Sequence, residues 1–154
     1  MTTLRYLPID DAVARRIRET MHDEHGNRLH VRVSEDDSNP CRSCLRVTKS
    51  GSRLILFAHR PFTTDGPYAE IGPVFIHAEE CAPYAETERF PADFRPRRLT
   101  FRAYDGQGEI DDATVADGAD AETVLQRLFA RDDVAEVHVR NPAWGCYDFR
   151  VVRG

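Results

Sequence analysis

Apolar positions recur with two periods along this chain. Val13, Ile17 and Met21 stand at i, i+4 and i+8 behind Asp10 and Asp11. That spacing predicts a helix whose first turn those carboxylates cap, with Gly26 as a natural stop. Leu29-His30-Val31-Arg32-Val33 then alternates apolar and polar, the signature of a half-buried strand. Residues 34–40 are turn chemistry throughout, and Lys49-Ser50-Gly51 turns the chain into the continuous apolar run Leu54-Ile55-Leu56-Phe57, which suits a buried strand.

After a long loop at residues 63–73, Val74-Phe75-Ile76 forms a short strand leading to His77. Alternation returns at residues 99–104, and Asp105-Gly106-Gln107-Gly108 is hairpin-turn chemistry joining it to a partner at residues 109–115. Asp120 is placed to cap a second helix with an apolar stripe of Val124, Leu125, Leu128 and Phe129. Val137 and Val139 begin a strand that returns through residues 141–145 into a partner at residues 147–152. This order predicts an α+β fold, two helices covering a mainly antiparallel sheet. No linker or repeat interrupts it, so residues 1–154 read as a single domain.

A chain of 154 residues is long enough to build its own core. Any metal would therefore be added to a viable fold. With 41% hydrophobic and 31% charged residues, the composition is that of a folded, water-exposed globule. The N-terminal residues lack the apolar region of a secretory signal, and no apolar run reaches the roughly 20 residues of a membrane span. A cytoplasmic location is the expectation, with no membrane partner. Four cysteines in such a chain read first as thiols or metal ligands.

The net charge of −5 argues against nonspecific affinity for phosphate backbones. Arg95, Arg97, Arg98 and Arg102 form the densest basic stretch, which reads as a solvated strand face before a nucleic-acid groove. A small molecule or a protein is the expected partner.

The sharpest chemical feature is two ligand pairs, Cys41-x2-Cys44 and His77-x3-Cys81, with 32 residues between them. Each short pair can be aimed at one point by a tight turn, and the fold need only bring the two points together. Thiolate and imidazole are donors that zinc prefers. A small zinc-knuckle-like element is the functional reading; three small core cysteines and a hydrogen-bonded histidine are the alternative. Pro83 leaves room for only a short helical turn after His77.

The same residues carry two half-motifs of zinc nucleobase deaminases. Pro40-Cys41-x-x-Cys44 matches one half, and His77-x-Glu79 the other, with Glu79 as proton shuttle. Their order is reversed here, and the parallel layout expected of a deaminase is missing. A zinc- or cysteine-dependent hydrolase or deaminase is thus the enzymatic alternative to a noncatalytic role. In the cysteine version, Cys146 would be the nucleophile and His138 its base, against the simpler reading of a packing cysteine. Tyr68 and Glu70 lie in the long loop, and Trp144 at a hairpin tip could anchor a partner or fold back onto the sheet.

Taken together, residues 40–46, 66–81 and 141–151 resemble a bacterial family known as domain of unknown function 1203. That resemblance implies no activity. It places Pro40, Cys41, Arg42, Tyr68, Gly145 and Cys146 at signature positions, and implies that Cys44 and His77 are features of a subgroup. A polar ligand pocket shared by the family would form where Cys41, Arg42, Tyr68, Asn141 and Cys146 converge.

Overall fold

The computed structural model describes residues 1–154. In chain order the elements are β1 (Leu4–Leu7), α1 (Asp11–Thr20), β2 (Val31–Val33), β3 (Arg53–His59), β4 (Gly72–His77), β5 (Arg98–Tyr104), β6 (Ile110–Asp117), α2 (Ala121–Phe129), β7 (Glu136–Arg140) and β8 (Tyr147–Arg153). The class is α+β as the periodicities predict, and every strand pairing is antiparallel. The sheet, however, divides in two: a five-stranded sheet in the order β1-β8-β7-β5-β6 and a three-stranded sheet β2-β3-β4. No helix is long and apolar enough to cross a membrane.

Each sheet has its own apolar cluster. Helix α2 lays Leu125, Leu128 and Phe129 over Leu99, Phe101, Val137, Val139, Phe149 and Val151 of the larger sheet. Helix α1 lays Ala14 and Ile17 over Ile55, Phe57, Val74 and Ile76 of the smaller one. Burying each such aliphatic or aromatic side chain contributes about 1.5–3 kcal/mol, so these faces outweigh any local propensity. The clusters interlock through single segments. Tyr147 of the larger sheet belongs to the second cluster, and the segment that puts Cys41 in the second cluster puts Leu45 in the first.

Local details depart from the sequence reading in physically interpretable ways. Asp10 caps α1 through its side chain, which accepts from the Ala12 N–H at 3.0 Å. The helix stops at Met21, in the left-handed region at φ 52°, rather than at Gly26, which sits in the following turn. Leu29 N–H returns to the Met21 carbonyl at 2.8 Å, so the predicted strand at 29–33 is shortened to its last three residues. Asp120 holds the entry position of α2 without a side-chain cap bond, because a 3-10 turn at Gly118–Asp120 already leads into the helix.

Strand β1 is absent from the sequence reading. Its four residues alternate correctly but are too few to stand out, and its pairing with β8 forms across nearly the whole chain. Gly72 and Pro73, read as loop, lie inside β4. β4 is an edge strand, where a proline's missing N–H can face away from the ladder.

Candidate metal centre and adjoining cavity

Residues 40–47 form a miniature hairpin. Pro40 bridges Val47, Cys41 N–H donates to the Arg46 carbonyl at 2.9 Å, and Leu45 N–H donates to the Cys41 carbonyl at 2.9 Å. Closing this turn requires Leu45 at φ 57°, a conformation that costs a residue with a Cβ roughly 1–2 kcal/mol. Leu45 is nevertheless 2% exposed, and its burial in the larger cluster offsets the strain. The hairpin is fastened from outside as well. Ile9 N–H donates to the Arg42 carbonyl, and Arg42 N–H to the Phe75 carbonyl, both at 3.0 Å.

This anchoring brings the two ligand pairs together. The donor atoms of Cys41, Cys44, His77 and Cys81 all lie within 4.8 Å of one another. Cys41 Sγ is 3.8 Å from Cys81 Sγ, and Cys44 Sγ is 3.6 Å from His77 Nδ1. A tetrahedral zinc with bonds of about 2.3 Å to sulfur and about 2.05 Å to nitrogen would set these edges at about 3.8 and about 3.6 Å. The cluster therefore has the spacing of a four-ligand site. Cys41 is fully buried, and the other three are half-buried.

Hydrogen bonds to sulfur complete the shell. His77 N–H donates to Cys41 Sγ at 3.3 Å, and Arg18 Nη2 donates to Cys81 Sγ at 3.3 Å. Hydrogen bonds from Cys44 and Cys81 push the Cys41 thiol far down, while its bond to Cys41 pushes Cys44 up. The sulfurs of Cys41 and Cys81 raise His77 to about 10. These shifts favour a thiolate at Cys41 and a proton on His77 when no metal is bound, and a cation entering there would compete with that proton.

Cys81 reaches the cluster without the expected helical turn. Residues 78–79 form a bend, fixed by Ala78 N–H donating to the Arg53 carbonyl at 2.9 Å. Glu79 points away and pairs with Arg53 at 3.2 Å, with both side chains exposed. The structure thus separates the His-x-Glu half-motif from the donors it would have to serve. His138 and Cys146 are not joined either. His138 Nε2 bonds Glu136 at 2.9 Å, inside an aromatic cage of Phe62, Tyr104 and Tyr147, whereas Cys146 Sγ meets only the Trp144 carbonyl at 3.9 Å.

Of the five residues expected to converge on a ligand pocket, the structure brings three to one cavity. Arg42, Asn141 and Cys146 line a cavity of about 580 Å³ together with Arg97, Asp148 and the apolar Phe75. Cys41 turns to the Cys44–His77–Cys81 donor cluster instead, and Tyr68 stays outside, 42% exposed. The loop carrying Tyr68 is held by Glu70, which pairs with Arg102 at 3.1 Å and Arg140 at 3.4 Å. The basic stretch is spent similarly: Arg95 on Glu122, Arg98 on Asp117 and Arg97 on the Ser38 carbonyl.

Asp148 is the residue that sequence reading missed. It falls where the β7–β8 register slips, Val139 facing Phe149 and Arg140 facing Tyr147, so Asp148 is an extra residue bulged from β8. The bulge breaks the alternation and buries Tyr147, Asp148 and Phe149 in succession. Asp148 is 1% exposed, with Arg42 Nη2 at 3.3 Å, yet neither carboxylate oxygen has a hydrogen-bond partner. Burial pushes its carboxyl up to about 6 despite the Arg42 charge. Its one mark in the sequence is an acid set between the aromatic Tyr147 and Phe149, which does not by itself place it in the core.

Comparison with protein families gives a match over residues 38–153 to the model described as protein of unknown function (DUF1203). The chain belongs to the DUF1203 family. Neither the curated proteins nor the solved structures contain a match. All four donors and the named cavity residues fall inside the DUF1203 segment, whereas β1, α1 and β2, and with them Arg18, precede it.

Proposed function

We propose that this DUF1203 chain is a noncatalytic binding domain in which one zinc ion staples the 40–47 hairpin to the end of β4. The observation that carries this reading is the pair of donor separations, 3.8 Å for Cys41–Cys81 and 3.6 Å for Cys44–His77, which suit one tetrahedral ion. Four protein ligands close such a site, leaving no position for the water a hydrolytic zinc would activate. The outward course of Glu79 supports the same reading, since no carboxylate stands ready as a base. The staple would have a purpose beyond its own stability. Arg42 lies between Cys41 and Cys44, so fixing that turn fixes the guanidinium beneath the cavity.

The test is elemental analysis of protein purified without chelator, on wild type and Cys81→Ala. One zinc per chain in wild type, with loss of metal and a lower melting temperature in the variant, is the expected result. Metal-free wild type would overturn the proposal. So would a Cys81→Ala protein that keeps its zinc and deaminates cytidine or adenosine, because the site would then be open and catalytic.

A further inference from the structure

The cavity beside the hairpin has both kinds of unspent hydrogen-bonding capacity. Its acceptor is Asp148, whose two buried oxygens have no partner. Buried polar atoms are nearly always satisfied, so a carboxylate doubly unpaired on a cavity wall calls for a donor from outside the chain. Arg42 does not supply one in good geometry. Its Nε is committed to the Tyr147 carbonyl at 2.8 Å and its Nη1 to the Pro40 carbonyl at 2.7 Å.

Donors are also available. Arg97 spends one N–H on the Ser38 carbonyl at 2.6 Å, leaving the rest of its guanidinium free. Asn141 uses Oδ1 to accept from Ala143 and Trp144, leaving its amide N–H groups unspent. The charges lining the cavity balance, Arg42 and Arg97 against Asp36 and Asp148, so a simple anion or cation would meet as much repulsion as attraction. Leu56, Phe75 and Trp144 give the same cavity an apolar side, with Trp144 83% exposed at the hairpin tip. Its volume of about 580 Å³ lies within the range of small-molecule sites.

We propose that this cavity binds a zwitterionic ligand of amino-acid or dipeptide size with an apolar side chain, its ammonium on Asp148 and its carboxylate on Arg97 and Asn141. The β-bulge at Asp148 fits this role, because bulges re-aim single side chains next to binding sites. Burial raises Asp148 only to about 6, so it is ionised at neutral pH and can hold an ammonium. The inference rests on the noncatalytic binding reading and gives it a ligand class.

The experiment is an amide-shift NMR titration of the full chain with the twenty free amino acids and Phe-Leu. N-acetyl-L-phenylalanine, which lacks the ammonium, and L-phenylalaninamide, which lacks the carboxylate, are the half-ligands. Apolar zwitterions should shift the amides of Arg42, Asn141, Cys146 and Asp148, and each half-ligand should bind at least about tenfold more weakly, the cost of one lost charged hydrogen bond. Asp148→Asn should erase the preference for the free ammonium. If that variant does not fold, Arg97→Met, at a half-buried position, should weaken zwitterions and N-acetyl-phenylalanine alike. Half-ligands binding as tightly as zwitterions would overturn the proposal, and so would a titration in which no probe moves these amides. Absent shifts in a protein holding one zinc per chain would sink this inference alone, whereas shifts in a metal-free protein would sink the zinc staple alone.

Discussion

Arg18 reaches from helix α1 to Cys81: its Nη2 donates to the Cys81 sulfur at 3.3 Å while its Nε holds the His77 carbonyl at 3.0 Å. One guanidinium therefore positions both members of the second ligand pair, from a helix outside the matched family segment. Partners of this kind typically change metal affinity by 10–100-fold. Arg18→Met is expected to weaken zinc retention by about that factor with little change in fold, as measured by competition with a chromophoric chelator. Unchanged retention would show that the contact is incidental.

Metal removal should act locally. Of the four donors only Cys41 is a core member of an apolar cluster. An ion would therefore hold the 40–47 hairpin and the segment around His77 and Cys81 rather than the helix-covered faces of the two sheets. Chelation is expected to speed amide exchange in residues 40–47 and 77–84 while β5, β7 and β8 stay protected. Loss of protection throughout would mean that the metal holds the whole fold.

The pair of Arg42 and Asp148 is buried on both sides, 3% and 1% exposed. Arg42→Met strands the carboxylate and is expected to cost about 3–5 kcal/mol in denaturant unfolding. Replacing both with apolar residues, Arg42→Met with Asp148→Leu, should cost clearly less than the sum of the single changes, since no charge is then left unpaired.

Leu45 should reverse a familiar core ranking. Both Leu45→Ala and Leu45→Gly lose the buried side chain, but only glycine relieves the φ of 57°. Leu45→Gly is expected to be about 1 kcal/mol more stable than Leu45→Ala. The reverse order would remove the strain argument for this turn.

Burial holds His59 down at about 4. A depressed histidine contributes stability that is present above the unfolded value near 6.5 and lost as pH falls through the folded one. Wild type should therefore lose up to about 3 kcal/mol relative to His59→Phe between pH 7 and pH 4. A raised group such as Asp148 works in the opposite sense over part of that range, which is why the comparison is between two proteins and not along one curve.

Periodicity and donor chemistry made much of this protein legible in its sequence. Alternation at residues 29–33, 99–104 and 137–139 and the apolar stripes of both helices gave the α+β class, because side-chain period follows directly from backbone geometry. The pairs Cys41–Cys44 and His77–Cys81 were legible because short loops fix ligand spacing locally. Three features depended on contacts between distant segments. The four residues of β1 become a strand only because β8 offers an edge at the far end of the chain. The division into two sheets follows from which apolar faces each helix covers, a choice no local window contains. Asp148 became a buried, unpartnered acid through a one-residue slip against β7, and a slip of register leaves no mark on composition or period.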